Sequence, residues 1–177
     1  MGLTGLADPR RLGVIGLSYG GFLTSWLVGV TDRFAAAVTE NGVSNQATAW
    51  AECYFGIYDS RRTGLGDPLS AGGAARLWER SPLRNVAAIR TPLLMLQAEE
   101  DRICPASDNV QLFAALKALG REVEYLLYPE EHHGFRSIGR PDRRIDRLER
   151  VLAWFERAFE PDGDATWFPP RNPPAVV

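Results

Sequence analysis

The sequence is poor in cysteine, histidine and lysine, and the first two shortages argue against disulfide and zinc scaffolds. Its 177 residues include two cysteines, two histidines and a single lysine, Lys117. The cysteines, Cys53 and Cys104, are too few for a disulfide-stapled scaffold, so we expect a reducing, cytoplasmic setting. Neither they nor the two adjacent histidines have the spacing of a structural zinc site. We therefore expect no metal and no cofactor.

Long apolar runs and an excess of positive charge are also missing. No segment approaches the ~18 apolar residues of a membrane span, and the first residues lack the basic and apolar parts of a secretory signal. The formal net charge is −2, whereas nucleic-acid binding usually needs a concentrated basic face. We expect neither a membrane nor a nucleic acid among the partners.

What the chain does have is the composition and length of one globular domain. Hydrophobic residues make up 45% and charged residues 24% of the chain, which allows a sizeable core. Four apolar runs, at 12–17, 34–38, 92–96 and 123–128, predict strands. Because they are continuous rather than alternating, they are typical of buried strands in a parallel sheet with helices on both faces.

Three stretches with helical periodicity separate or follow these runs, at 19–30, 107–119 and 142–159. The expected apolar faces comprise Phe22, Leu23, Trp26 and Leu27 in the first stretch, Val110, Leu112, Phe113 and Leu116 in the second, and Ile145, Leu148, Val151, Leu152 and Phe155 in the last. The charged residues of the last stretch should form its solvated side. In the middle stretch, Ser107 is the predicted N-cap and Gly120 the residue that ends the helix.

This alternation of strands and helices predicts an α/β fold with a parallel sheet and right-handed crossovers. Residues 1–160 should form the domain, with an insertion of short helices and loops at about 44–90 that covers one end of the sheet. Residues 161–177 form a proline-rich segment, which we interpret as a flexible tail. In open sheets of this kind, functional residues gather where the strands end.

The segment Gly16-Leu17-Ser18-Tyr19-Gly20 follows the G-x-S-x-G pattern, in which a strand turns sharply into a helix at the serine. A side chain at Gly16 or Gly20 is expected to collide across that turn. The turn would lift Ser18 clear of the sheet as a nucleophile. The backbone N–H of Tyr19, at the start of the helix, could then stabilise an oxyanion.

A serine hydroxyl is a weak nucleophile unless a base accepts its proton. His132 and His133 are the candidates, and both follow the last predicted strand at the same edge of the sheet as Ser18. We favour His133 because Gly134 lets the loop present the imidazole without crowding.

An acid is expected to orient the imidazole. Glu99, Glu100 and Asp101 all follow the third predicted strand. We favour Asp101, whose loop is set in part by Pro105, while the two glutamates remain alternatives. The chain order serine, acid, histidine matches that of α/β-hydrolases.

Aromatic residues in the insertion are candidates for a substrate pocket. Trp50, Tyr54 and Phe55 could line such a pocket, although core packing is the commoner use of aromatic side chains. Cys104 lies near the predicted site, and we interpret it as a packed residue rather than a second nucleophile.

Together these residues resemble the catalytic domain of the prolyl oligopeptidase family, within it the acylaminoacyl-peptidase-like members. The matching stretches are DPRRLGVIGLSYGGF, TDRFAAAV, SPLRNV, RTPLLMLQAEEDRICP, YPEEHHGF and GRPDRRIDRLERVLAWF. The resemblance implies the carboxyl-terminal part of an α/β-hydrolase sheet, with about four strands. It also implies that Ser18 is the nucleophile, Asp101 the orienting acid and His133 the base. The implied reaction is hydrolysis of peptide or N-blocked peptide bonds in short substrates.

Some features of that family have no counterpart in this sequence. They are the amino-terminal β-propeller, the first half of the hydrolase domain and its His-Gly-Gly-type loop, which supplies a second oxyanion donor. Ile103 also stands where the family usually has Arg, with Arg102 one residue earlier. We therefore expect a fragment of a larger peptidase, whose protein partner is a second copy or the missing amino-terminal half. The alternatives are an esterase on the same fold and a non-catalytic remnant.

Overall fold

The computed structural model describes residues 8–64 and 66–159. The tail predicted for 161–177 lies outside the described residues. Within the described ranges, no helix is both long enough and apolar enough to cross a membrane.

Four parallel strands form one sheet in which their spatial order equals their order in the chain. The strands are β1 (Gly13–Leu17), β2 (Ala36–Glu40), β3 (Leu93–Ala98) and β4 (Val123–Tyr128). In the parallel register Leu17 pairs with Glu40, and Ala98 pairs with Tyr128. The predicted α/β architecture with about four parallel strands is confirmed, and all four strands end at the same edge of the sheet.

Helices connect the strands and cover both faces of the sheet. They are α1 (Tyr19–Val28), α2 (Gln46–Glu52), α3 (Gly56–Thr63), α4 (Gly73–Glu79), a 3₁₀ helix (Pro82–Ala88), α5 (Ala106–Ala118), α6 (Phe135–Ile138) and α7 (Pro141–Phe159). Residues from α1, α5 and the 3₁₀ helix pack on one face, and residues from α6 and α7 on the other. The short helices α2 to α4 lie between β2 and β3.

The core is centred on β3, every residue of which is buried. On one face, Leu93 and Met95 pack with Leu112 and Leu116 of α5. On the other face, the neighbouring β3 residues pack with Trp154 of α7. Each large apolar side chain buried in this way contributes about 1.5–3 kcal/mol. This two-sided packing is why the apolar runs of the central strands are continuous rather than alternating.

The prediction that the first apolar run forms a buried strand is wrong for β1. Gly13 is exposed and Ile15 is 46% exposed. The reason is position, because β1 lies at the edge of the sheet and its only hydrogen-bonded neighbour among the described strands is β2. Part of its surface is therefore open in the described chain.

The apolar faces predicted for α1 and α7 are also partly wrong. The buried face of α1 consists of small residues, Gly21, Thr24 and Ser25, together with Val28. In α7, Arg147 and Trp154 are buried. The predicted apolar residues of the two helices that are exposed instead are Leu23, Ile145, Leu148 and Leu152. Periodicity identifies an apolar stripe, but it does not show which side of a helix has a neighbour. Val110 of α5 is likewise exposed.

The start of α5 differs from the prediction, whereas its end agrees with it. Pro105 occupies the N-cap position, and the hydroxyl of Ser107 instead donates to the carboxylate of Glu52 in α2. The N-cap prediction for Ser107 is therefore wrong, because a long-range partner competes for its hydroxyl. Gly120 has φ +64° just after the helix, the left-handed conformation that glycine adopts easily.

The buried carboxyl of Asp108 joins α5 to the segment that follows β2. One carboxyl oxygen accepts the backbone N–H of Ser44 at 2.6 Å and that of Asn45 at 3.0 Å, as well as the Ser44 hydroxyl. The other oxygen has no hydrogen-bond partner among the residues that the structure describes. Burial raises the pKa of Asp108 to about 6, although the hydrogen bonds from Ser44 and Asn45 act in the opposite direction.

A second buried charge holds α7 against β2. Arg147 donates two hydrogen bonds of 2.6 Å to the carboxylate of Glu40, whose side chain is fully buried. The fork of the guanidinium satisfies both carboxylate oxygens at once. The pair therefore holds the end of β2 against α7.

We predict that the stabilisation of the folded chain by protonated Asp108, which follows from its raised pKa, is lost as the pH rises through about 6. Because its pKa is higher in the folded chain than in an unfolded one, the contribution is complete below about pH 4 and reaches about 3 kcal/mol. Asp108→Asn removes this titration. Urea unfolding at several pH values should show the stability of the wild type relative to the variant falling between about pH 4 and pH 7. A difference that stays constant over this range would contradict the prediction.

We predict that Arg147→Met lowers the free energy of unfolding by about 3–5 kcal/mol, because Glu40 is left buried without its counter-ion. Adding Glu40→Gln to this variant should restore part of the loss. The control is Arg10→Met, since the ion pair between Arg10 and Asp8 is at the surface. Arg10→Met should leave the unfolding midpoint unchanged. Equal losses in the Arg10 and Arg147 variants would refute the role given to the buried pair.

Candidate active site

Ser18 lies at the turn between β1 and α1, in the conformation that the motif predicts. Its backbone has φ +58° and ψ −118°, in the left-handed range that non-glycine residues rarely adopt. Its N–H donates to the carbonyl oxygen of Glu40 at 2.9 Å. A Cβ atom on Gly16 would lie 2.1 Å from the carbonyl oxygen of Gly20. The elbow therefore requires glycine at position 16, where strand and helix come closest.

The reason given above for Gly20 is wrong. Beyond its chain neighbours and its own helix, a Cβ atom there would meet no heavy atom of the described residues within 4 Å, so it is the backbone of Gly20 that crowds Gly16. The glycine that sequence reasoning missed is Gly21, where a Cβ atom would lie 2.8 Å from the Glu40 carbonyl oxygen and from the Gly42 Cα. Its presence directly after the motif is the signal that could have identified it.

Asp101 and His133 lie together where β3 and β4 end. Nδ1 of His133 is 2.7 Å from Oδ2 of Asp101. The other oxygen of Asp101 accepts the backbone N–H groups of Ile103 and Cys104, each at 2.8 Å. The Asp101 side chain is fully buried, whereas that of His133 is 19% exposed. The carboxylate is thus locked in place by its own loop and can orient the imidazole.

The competing acids and the second histidine take other positions. Glu99 and Glu100 are both exposed, and the carboxylate of Glu99 accepts the backbone N–H of Glu130. His132 is exposed, and its ring accepts the N–H of Gly134 at 3.1 Å. Of the residues that the sequence analysis considered as acid or base, the structure brings Asp101 and His133 together.

The hydroxyl of Ser18 interacts with the thiol of Cys104. Within the described part of the chain, no hydrogen bond joins this hydroxyl to the ring of His133. Catalytic hydrogen bonds are often long without substrate and shorten when substrate binds. Cys104 is 3% exposed, and burial raises the pKa of its thiol. A thiol of this kind is neutral and inert, as expected for a packed residue.

A cavity of about 510 Å³ opens beside Ser18. Its apolar lining comes from α1, from the helices that follow β2 and from the loop after β3, and includes Phe22, Val43, Trp50, Phe55 and Ile103. A volume and lining of this kind are typical of a small-molecule site.

Of the three aromatic residues proposed for a pocket, Trp50 and Phe55 line this cavity and Tyr54 does not. The expectation for Tyr54 is corrected, because the residue is 84% exposed and borders a separate depression lined by residues of the insertion. The backbone N–H of Tyr54 donates to the Arg102 carbonyl at 2.7 Å. This bond ties the insertion to the Asp101 loop, which comprises residues 99–105 between β3 and α5. No cluster of histidine, cysteine and acidic residues suited to a metal ion is found among the described residues.

The sequence and the structure are similar to those of known peptidases. A family model described as the prolyl oligopeptidase family matches residues 2–162. The uncharacterized peptidase YuxL of Bacillus subtilis is 41% identical over 150 residues, which cover 85% of this chain and 22% of that protein. The acylamino-acid-releasing enzyme of Arabidopsis thaliana is 33% identical over 162 residues, which cover 86% of this chain and 20% of the enzyme.

A solved structure of an acylaminoacyl peptidase in complex with Z-Gly-Gly-Phe-chloromethyl ketone superimposes with a TM-score of 0.83 at 32% identity. The match covers 88% of this chain and 25% of that one. The chain thus spans about a fifth to a quarter of the length of these relatives.

We predict different effects of alanine at the two glycines of the motif. Gly16→Ala should lower stability by about 1–3 kcal/mol, because its Cβ overlaps the backbone of Gly20. Gly20→Ala should leave stability unchanged or raise it by up to about 1 kcal/mol, since alanine favours the helix and the space is open. Thermal unfolding measures both effects. If Gly20→Ala is destabilised as much as Gly16→Ala, the described contact is not the constraint on the elbow.

Proposed function

The chain belongs to the prolyl oligopeptidase family, and from this membership we propose that it is a serine hydrolase of the peptidase type. Its substrates would be short peptides, with or without a blocked amino terminus. The observation that carries the proposal is the hydrogen bond between His133 and the buried Asp101. It lies at the same edge of the sheet as Ser18, the residue that follows β1. The cysteine content supports a cytoplasmic location for this activity.

The proposed mechanism is acyl transfer in two steps. Nε2 of His133 accepts the proton of the Ser18 hydroxyl while the serine oxygen attacks the substrate carbonyl. The Asp101 carboxylate holds the Nδ1–H tautomer and stabilises the imidazolium that forms. His133 then protonates the leaving amine. Water repeats the sequence on the acyl-enzyme and regenerates Ser18.

The backbone N–H of Tyr19 is the proposed donor to the oxyanion. Tyr19 is the first residue of α1, where N–H groups have no partner within the helix and the helix dipole favours negative charge. One oxyanion donor typically contributes about 10²–10³ in rate. A chain that relies on Tyr19 alone should therefore turn over more slowly than one with two donors.

The apolar cavity beside Ser18 supports a preference for substrates with a bulky apolar side chain. Trp50 and Phe55 provide aromatic walls, and the volume of about 510 Å³ accommodates a residue the size of phenylalanine. The inhibitor in the related acylaminoacyl peptidase carries phenylalanine next to its reactive group. We therefore propose that the acyl part of the substrate ends in such a residue.

The open edge of the sheet favours a second candidate function, that of a module which works only with a partner half. One side of β1 has no strand beside it in the described chain. Ile15 of β1 and Leu23 of α1 are each at least 41% exposed. Unpaired edges and exposed apolar surface are typical of surfaces that another segment covers. On this reading the site is complete only when the upstream half, or a second copy, is docked.

We predict that a fluorophosphonate probe labels the chain at Ser18, because the probe reacts with activated serine hydroxyls. Ser18→Ala should abolish the labelling, and His133→Gln should slow it by at least about 10³-fold. Ser70→Ala is the matched control, since Ser70 is exposed on the insertion and does not line the cavity. Intact-mass spectrometry measures the adduct. Labelling of the wild type that persists in Ser18→Ala would defeat the proposal, whereas no labelling of a molten wild type would favour the partner-half function.

We predict further that the chain hydrolyses N-blocked phenylalanine anilides in addition to short-chain esters. Amide cleavage needs His133 to protonate a poor leaving group, so it reports on the peptidase reaction itself. Release of the chromophore measures both rates, with Ser18→Ala as the blank. Hydrolysis restricted to esters would assign the chain to the esterases instead.

A further inference from the structure

The end of β2 carries none of the three residues assigned to catalysis, yet it contacts the segments that hold all three. We propose that Asn41, the first residue after β2, is a positioning residue. It fixes the Asp101 loop relative to the His133 loop, which comprises residues 129–134 between β4 and α6. The inference rests on the proposed function, because it concerns the geometry of the same site. It adds a residue to which the sequence analysis gave no role.

The amide side chain of Asn41 joins the two loops directly. Its oxygen accepts the backbone N–H of Ala98 at 2.8 Å, at the point where β3 ends and the Asp101 loop begins. Its nitrogen donates to the backbone carbonyl of His133 at 3.1 Å. The bond to His133 acts on the residue that carries the imidazole. One side chain therefore positions the backbone of the Asp101 loop relative to the backbone of His133.

The backbone around Asn41 is itself held firmly. Its N–H donates to the carbonyl of Leu96 at 2.9 Å, and the residue is fully buried. The preceding residue, Glu40, accepts the N–H of Ser18 through its carbonyl and pairs with Arg147 through its side chain. Residues 40 and 41 thus form one rigid segment, to which the nucleophile, the acid loop and the base are all attached.

The conformation of Asn41 shows why the residue type matters. Its φ of +41° lies in the left-handed region, where asparagine is tolerated better than most residues. The side chain must also offer an acceptor to Ala98 and a donor to His133. Aspartate has the same shape but no donor, and glycine suits the backbone but provides neither group. Asn41→Asp therefore removes the donor to His133 alone. Asn41→Gly removes both hydrogen bonds and keeps a residue that suits the backbone conformation.

The test uses the full chain and two readouts. The first is the proton NMR signal of the His133 Nδ1–H, which appears far downfield of the amides when the imidazole donates to a carboxylate. We expect the signal in the wild type, its loss in Asn41→Gly and a weakened signal in Asn41→Asp. The second is the rate of fluorophosphonate labelling at Ser18. It should fall by about 10²-fold in Asn41→Gly, as expected for a displaced catalytic group, and by less in Asn41→Asp.

Ile89→Val is the control for a general loss of stability, because Ile89 is fully buried in the core on the α1 and α5 face of the sheet. It should lower the unfolding temperature and leave both readouts unchanged. The proposal is overturned if Asn41→Gly keeps the signal, if Ile89→Val loses it, or if the wild type lacks it. Should Asn41→Gly not fold, Asn41→Asp decides, and a signal and a labelling rate equal to those of the wild type then overturn the proposal. A wild type that shows the signal but is not labelled would sink the proposed function and leave the positioning role standing.

Discussion

The close approach of the end of β1 to the first turn of α1 is the constraint on which the site depends. Gly16 and the backbone of Gly20 come so near that no side chain fits at Gly16. This contact forces the chain to reverse within one residue, and Ser18 takes up the left-handed conformation that results. Strain of this kind persists only when the surrounding structure holds it in place. Here the hydrogen bond from the Ser18 N–H to the Glu40 carbonyl does so.

The parallel sheet converts this local turn into a site. Because the four strands run in the same direction, the segments after β1, β3 and β4 emerge at one edge, and each carries one of the three candidate residues. β2 carries none of them, yet its end lies between these segments and is anchored below by Arg147. A buried ion pair is costly to desolvate, and specificity of arrangement is the benefit that such pairs provide in some proteins. In this chain the pair holds Glu40, whose carbonyl oxygen accepts the N–H of Ser18.

The sequence predicts the parts of the molecule that depend on local patterns. Continuous apolar runs located the four strands, and the G-x-S-x-G spacing located the turn at Ser18. The shortage of histidine reduced the choice of base to two adjacent residues. Pro105 favours Asp101 over Glu99 and Glu100, and in the structure the carboxylate of Asp101 is buried.

Features that depend on tertiary neighbours could not be predicted in this way. The apolar stripe of α7 looked like its buried face, but Leu148 and Leu152 are exposed and Arg147 is buried, because the location of the neighbours decides burial. Tyr54 is exposed, while its backbone N–H bonds to a residue distant in the sequence. Asn41 carries no local pattern, and its importance follows from two partners more than fifty residues away.

The most direct measurement of the central claim is a crystal structure of the chain after reaction with a phosphonate inhibitor. The account predicts a covalent bond between phosphorus and Oγ of Ser18. It also predicts that Nε2 of His133 lies within about 3 Å of an oxygen of the adduct, while Nδ1 keeps its contact with Asp101. An adduct on another residue, or an imidazole turned away from the serine in the complex, would contradict it.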